Sequence, residues 1–231
     1  MRNILEEKPA DDLHGRLAYT MTFVADDDLV GKSVLEIGCG YGWFARHALE
    51  RGISGITGVE PTDEDLATIR KHVVADNARF ELGSALQLPF PDASFDTVVC
   101  WEVIEHLPKH SEPTMFSEIS RVLRDGGAFY MSTPYGSLRS TVSDPLRLPI
   151  GHRHYLESDL GELGRNAALT LSRTEVKGRW WYVAEIWNVH VSKWLLRRAP
   201  VFQDTFFEKT DREFEGPGFA CIFAELRRLP R

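Results

Sequence analysis

Positive charge is in short supply in this chain. Its 27 Lys and Arg stand against 34 Asp and Glu, for a net charge of −7 over 231 residues. A bulk nucleic-acid partner needs a basic face to neutralise phosphates, so the composition argues against one. Only three cysteines are present, Cys39, Cys100 and Cys221. They are too few and too scattered for a disulfide framework or a zinc site, and Cys39 and Cys100 read as small apolar fillers. No apolar run approaches the length of a membrane-spanning helix. Glu6, Glu7, Asp11 and Asp12 interrupt the stretch where a signal peptide would carry its apolar core. Internal repeats and low-complexity tracts are also missing. The expectation is a reduced, cytoplasmic protein. At 43% apolar residues the chain has enough for a sizeable core, and the length suits one α/β domain spanning 1–231 with a modest appendage.

Strand-like and helix-like segments alternate along the chain, which predicts a mostly parallel, seven-stranded sheet with helices on both faces. Strands are expected at 33–37, 55–60, 78–82, 95–100, 128–132, 169–177 and 219–226. Helices are expected at 11–26, 43–50, 63–73 with Thr62 as N-cap, 111–123 ending at the Asp125-Gly126-Gly127 turn, 158–166 and 183–198. An N-terminal lid over 11–30 and two substrate-side insertions, 134–156 and 180–217, complete the plan. Insertions of that size in a compact domain usually carry function.

Residues 34–42 read Val-Leu-Glu-Ile-Gly-Cys-Gly-Tyr-Gly: a short apolar strand, then a glycine turn with Gly38, Cys39 and Gly40, then a helix. Glycine lets a ligand lie against bare main chain, and strand, turn and helix together form a nucleotide-binding element. The dinucleotide fingerprint wants glycine where Trp43 stands, so it fails here. Glu36, two residues before the first glycine, suits a cationic ligand group better than a pyrophosphate. The segment resembles motif I of the class I S-adenosylmethionine-dependent methyltransferases, and further similarity runs over roughly 13–163. The resemblance implies a Rossmann-like fold with S-adenosylmethionine as cofactor and S-adenosylhomocysteine as product. Glu60, with Pro61 beside it, would accept the ribose hydroxyls. Ser84 and Ala85 would face adenine, although many members carry aspartate where Ser84 stands. Trp101 would lie beside the methionyl part. Arg16 and Tyr19 resemble an N-terminal element of the quinone-biosynthesis O-methyltransferases and of some glycan methyltransferases. In that comparison Arg16 would pair with the cofactor carboxylate, and Tyr19 and His14 would cover the cleft.

Residues 101–107, Trp-Glu-Val-Ile-Glu-His-Leu, form the second informative stretch. If 102–106 form a helical turn, Glu102, Glu105 and His106 share a face at i, i+3 and i+4. Two carboxylates and an imidazole suit Mg²⁺ or another divalent cation. A distant histidine, His152 or His154 of the Gly-His-Arg-His-Tyr segment, would complete the set. The pattern resembles both the quinone-biosynthesis O-methyltransferases and the small-RNA terminal 2′-O-methyltransferases. The metal-free alternative keeps the chemistry, with His106, His152 or His154 as general base.

The acceptor is less legible. Trp180, Trp181, Tyr182, Trp187 and Trp194 crowd the second insertion, with Phe202, Phe206 and Phe207, and would suit a planar or sugar-ring substrate. From 165 to 200, seven bases minus two acids leave a local +5, and 191–198 would suit peripheral contact with an anionic membrane. The leading expectation is O-methylation of a small molecule: a quinol or phenol, a glycan sugar or a natural product. The alternatives are an RNA terminal 2′-O-methyltransferase and a non-catalytic S-adenosylmethionine-binding protein.

Overall fold

A computed structural model of the chain describes residues 8–147 and 151–230. Residues 148–150, inside the first predicted insertion, lie outside the described residues. In chain order the elements are α1 (Gly15–Phe23), β1 (Ser33–Ile37), α2 (Trp43–Glu50), β2 (Gly55–Glu60), α3 (Asp63–His72), β3 (Ala78–Leu82), β4 (Phe95–Trp101), α4 (Glu112–Val122) and β5 (Leu123–Pro134). The second half holds α5 (Leu138–Ser143), α6 (Glu157–Asn166), β6 (Leu169–Lys177), α7 (Trp180–His190), a π-helical turn (Val191–Leu195), α8 (Gln203–Glu215) and β7 (Cys221–Arg228).

The seven strands form one sheet in the order β3-β2-β1-β4-β5-β7-β6. All neighbours are parallel except β7, which runs antiparallel to both β5 and β6. The strand order reverses between β1 and β4, and ligands of open parallel sheets bind beyond the carboxyl ends of the strands at such a switch point. Because β7 is reversed, its amino end lies at that same edge. Successive residues of β1 divide between the faces: Val34 joins an apolar cluster with Phe44, Ala48 and Ile69, while Leu35 and Ile37 join Val98, Phe116 and Phe129 on the other side. Glu36 therefore points to the face covered by α2. Among the described residues no helix is long and apolar enough to cross a membrane.

The predicted strands all exist, and Thr62 caps α3 by accepting from the Asp65 N–H. Three expected boundaries move for identifiable reasons. The predicted 11–26 helix shrinks to α1, because the Gly15 N–H is taken by the Asp211 carboxylate at 2.5 Å and Val24 is already extended. The Asp125-Gly126-Gly127 turn follows the end of α4 at Val122, but it is an irregularity inside β5, between Leu123 and Ala128. Gly127 is pressed against the Asp96 carbonyl so closely that a Cβ would sit 2.8 Å from it. The predicted 183–198 helix starts three residues early. Glu213 of α8 accepts the N–H groups of Arg179, Trp181 and Tyr182 at 2.9, 2.9 and 3.0 Å, a remote carboxylate serving as N-terminal cap. α5 and α8 are additional helices within the two predicted insertions.

Candidate active site

Three glycines shape the loop after β1. Gly38, Gly40 and Gly42 all have positive φ, at +73°, +49° and +90°. A Cβ at Gly38 would meet Val103 at 2.5 Å and one at Gly42 would meet Ile69 at 2.5 Å, whereas Gly40 faces open space. Glu60, the last residue of β2, accepts the Gly40 N–H at 2.9 Å and ties the loop after β1 to the neighbouring strand. Burial of the Glu60 carboxyl raises its pKa. Glu36 is buried, and its Oε2 has no hydrogen-bond partner among the described residues. Burial and then the nearby Glu60 push its pKa well up, against a bond from the Ala45 N–H at the start of α2. An isolated buried carboxylate oxygen is costly, and a cationic ligand group would relieve it.

The other expected cofactor residues divide. Arg16 has a buried Nη1 without a partner. Burial alone would lower its pKa, but the facing Tyr182 and Glu102 more than offset this, so it stays a cation poised for an anionic group. Arg16 lies between two adjoining cavities, of about 250 Å³ and about 280 Å³. His14 borders the second, stacked on Phe207 at 4.4 Å. Tyr19 does not cover the cleft: its ring packs among Phe23, Phe214 and Phe223 with Lys177 over its face, because that side of α1 faces β6 and β7. The Cys39 side chain is buried, and its N–H, like that of Gly38, goes to the Val59 carbonyl. Trp101 is buried against Phe44, with its indole N–H unpaired among the described residues. Ala85 is buried, while Pro61 is exposed after β2. The Ser84 Oγ already accepts the Leu86 N–H at 3.2 Å, closing a local turn.

At the end of β4 the structure corrects the expected helical turn. Glu102 has φ +55°, a left-handed conformation uncommon for non-glycine residues. Only Ile104–His106 form a 3₁₀ turn. Glu102 therefore leaves the shared face, and its carboxylate accepts from the Ser132 hydroxyl at 2.6 Å and the Cys221 thiol at 3.4 Å. The group assembled instead is Glu105, His106 and His152, with one ligand atom from each and all within 4.8 Å of one another. Glu102 belongs to the wall of the same cavity rather than to that triad.

The parts that hold the triad are long-range. Arg153 donates to the Ile104 and Leu107 carbonyls at 2.6 and 2.8 Å, stapling the segment after β5 to the 3₁₀ turn. His152 and His154, flanking it, face the other way. The Asp144 carboxylate accepts from His152 Nδ1 at 2.7 Å and lies 3.3 Å from His154 Nε2. Despite burial, these imidazoles hold the Asp144 pKa well below the usual range. Because a carboxylate only accepts, the His152 proton sits on Nδ1 and the Nε2 lone pair points inward. That Nε2 lies 3.7 Å from Glu105 Oε1, and neither atom has a hydrogen-bond partner among the described residues. The Thr133 hydroxyl fixes the other Glu105 oxygen at 3.0 Å. Burial, and then Glu102, push the Glu105 pKa well up. The His106 and His152 rings lie 4.8 Å apart. His106 is exposed to solvent; partial desolvation and the neighbouring His152 lower its pKa to about 4, leaving a neutral imidazole at physiological pH.

A carboxyl oxygen and an imidazole nitrogen thus face each other in a buried setting, with the His106 ring alongside. A carboxylate-oriented histidine is a common support for metal ligands, so these three residues could hold a cation. Sequence reading missed Asp144, Thr133 and Arg153. Two signals were there: Thr133-Pro134 ahead of the His-x-His pair, and an acid eight residues before it.

The 250 Å³ cavity is bounded by this triad, by Ile186 and His190 of α7, and by Cys221 at the start of β7. A cavity of about 150 Å³ is enough for benzene, so one substituted ring fits.

A family described as "Methyltransferase domain" matches residues 34–127. The chain is 39% identical over 137 residues to a probable S-adenosylmethionine-dependent methyltransferase of Mycolicibacterium smegmatis, covering 58% of this chain and 49% of that protein. It is 31% identical over 117 residues to a ubiquinone biosynthesis O-methyltransferase of Idiomarina loihiensis, covering 49% and 47% respectively. The chain thus spans about half the length of these relatives. Among solved structures, the [4+2]-cyclase SpnF superposes with a TM-score of 0.69 at 21% identity, over 100% of this chain and 91% of that one. That likeness concerns the fold alone.

Proposed function

We propose that the chain is a class I S-adenosylmethionine-dependent methyltransferase, as the match of residues 34–127 to a methyltransferase-domain family supports, and that it methylates a hydroxyl oxygen on a small ring-bearing acceptor, with a divalent cation held by Glu105, His106 and His152. The observation that carries this reading is the pair of buried, unpartnered potential ligand atoms, Glu105 Oε1 and His152 Nε2, 3.7 Å apart beside His106. The relatives named for ubiquinone biosynthesis O-methylation, at 29–31% identity, support oxygen as the methylated atom.

Bound S-adenosylmethionine supplies an electrophilic sulfonium methyl. The chain's own residues bind and orient. Glu36 receives the ammonium, Glu60 the ribose hydroxyls, and Arg16 the carboxylate; the bare main chain at Gly40 leaves room for close approach. A bound divalent cation lowers the pKa of a hydroxyl near it. Asp144 keeps the His152 proton on Nδ1, and Thr133 fixes Glu105, so the donors arrive preorganised. Ile186 and Cys221 wall the acceptor from water, and positioning supplies much of the rate.

The test is calorimetric titration of the metal-stripped protein with S-adenosylhomocysteine, then with Mg²⁺, Mn²⁺ and Zn²⁺, followed by turnover on paired catechol and monohydroxy acceptors. A stoichiometric cation site lost in Glu105→Gln, with preference for vicinal hydroxyls, is expected. Turnover with no cation site would shift the deprotonation to a histidine base. Cofactor binding without turnover on any acceptor would overturn the enzymatic reading.

A further inference from the structure

The segment 186–203 carries Lys193, Arg197 and Arg198 and no acid, in a chain whose net charge is −7. It is also where apolar side chains stand in solvent. Trp187, Val191, Trp194 and Leu195 follow i, i+4, i+7, i+8 spacing along α7 and the π-helical turn, one stripe of a helix. Trp194 is 49% exposed, Leu195 76% and, just beyond, Phe202 77%. The Trp187 indole N–H donates to the Ser143 carbonyl at 3.0 Å, joining this stripe to α5, whose Leu138 and Val142 are 79% and 71% exposed. Arg139, Arg197 and Arg198 are exposed around it.

Adjoining faces of the same two helices line the acceptor cavity: Val183, Ile186 and His190 from α7, and Ser140 and Ser143 from α5. The cavity holds about 250 Å³, room for one ring, so any long substituent on an acceptor must lie outside it.

We propose that the face formed by α5, α7 and the π-helical turn docks on an anionic lipid bilayer and opens the acceptor cavity toward it. An amphipathic helix with tryptophans on its apolar side and cations beside them lies in the headgroup region, and tryptophan suits that boundary because its ring is apolar and its N–H polar. Charge complementarity favours this occupant: an acidic protein presents an acid-free basic stretch where its apolar side chains are exposed. The docking itself does not require methyl transfer, whereas the assignment of the cavity to an acceptor rests on the reading above.

The test is vesicle co-sedimentation of the full chain without cofactor or acceptor, read alongside tryptophan fluorescence. Vesicles of phosphatidylcholine alone are compared with vesicles containing phosphatidylglycerol. Partition onto the anionic vesicles, weakening with salt, is expected. Arg197→Ala with Arg198→Ala should lower it about 25-fold, at roughly fivefold per cation. Leu195→Glu should abolish it while leaving S-adenosylhomocysteine affinity unchanged, which also shows the variant is folded. Absent partition, or equal partition onto both vesicles, would overturn the proposal. So would sedimentation velocity showing a wild-type dimer that Leu195→Glu turns into monomers, since a second copy would then cover the stripe. None of these readouts depends on turnover, so failure here and failure of the methyltransferase reading are told apart.

Discussion

Replacing Glu36 by glutamine should move cofactor affinity and apo stability in opposite directions. The Glu36 carboxylate is buried, one of its oxygens has no partner among the described residues, and its pKa is raised by burial and by Glu60. In the unfolded chain the same group ionises near its ordinary value of 4.5. The folded pKa is the higher of the two, so stability is lost as pH rises from about 4.5 through that raised value. A neutral amide at this position would carry no such penalty. The apo melting temperature of the variant should therefore equal or exceed the wild type at pH 8, with a flatter profile between pH 5 and 8. Ligand binding should suffer instead. A hydrogen bond to a charged group is worth about 1.5–3 kcal/mol, so the Kd for S-adenosylhomocysteine should rise about 10- to 150-fold. At saturating ligand that loss appears undiminished in the stabilisation. At roughly 2–4 °C per kcal/mol for a chain of this size, the ligand-induced rise in Tm should shrink by about 3–12 °C. Differential scanning fluorimetry with and without ligand, across pH, reads both effects, and calorimetry checks the Kd. A variant that binds within twofold of wild type, or whose apo form melts several degrees lower, would refute the reasoning.

Asp144→Asn should weaken cation binding about 10- to 100-fold by freeing the His152 tautomer, with S-adenosylhomocysteine affinity unchanged; calorimetry with Mn²⁺ checks it. His106→Ala should abolish turnover while leaving cofactor affinity nearly intact, measured by methyl transfer and by titration with the product. Tyr130 donates to Asp28 at 2.6 Å, beside the Arg227–Asp28 pair. Tyr130→Phe should cost about 1–2 kcal/mol, lowering Tm by roughly 2–8 °C without touching ligand binding. Burial pushes the Glu185 pKa up to about 7 despite the pull of Arg16. Its penalty grows from the ordinary value of 4.5 and is complete above about 7, so Glu185→Gln should raise apo Tm at pH 8 but not at pH 4.5, by scanning fluorimetry.

What could be read in the sequence was what the local chain decides. The strand, glycine turn and helix around Glu36 depend on residues within a dozen positions, and Glu60 follows from its place at a strand end. Glu105 and His106 were legible as residue types. Their grouping was not, because it depends on Glu102 adopting positive φ and on Arg153 and Asp144 bringing His152 across from another segment. Tyr19 was misplaced for a similar reason: helical spacing names a face but does not say which neighbour covers it. The start of α7 was obscured because its cap, Glu213, is over thirty residues away. The tryptophan stripe was visible as spacing, but only the placement of α5 and α7 around the cavity distinguished its wet side from its dry one.

The reversed strand β7 has a consequence for how the chain is made. Synthesis delivers β5 and β6 before β7, when β5 can pair only with β4 and β6 has no strand beside it. Until Cys221–Arg228 emerges from the ribosome, the nascent protein carries open sheet edges, one bearing Phe129, Tyr130 and Met131, all fully buried at the end. Open apolar edges invite pairing with other chains. The last strand therefore acts as a wedge that seals the sheet and, through the Cys221 contact with Glu102, completes the cavity wall in the same step.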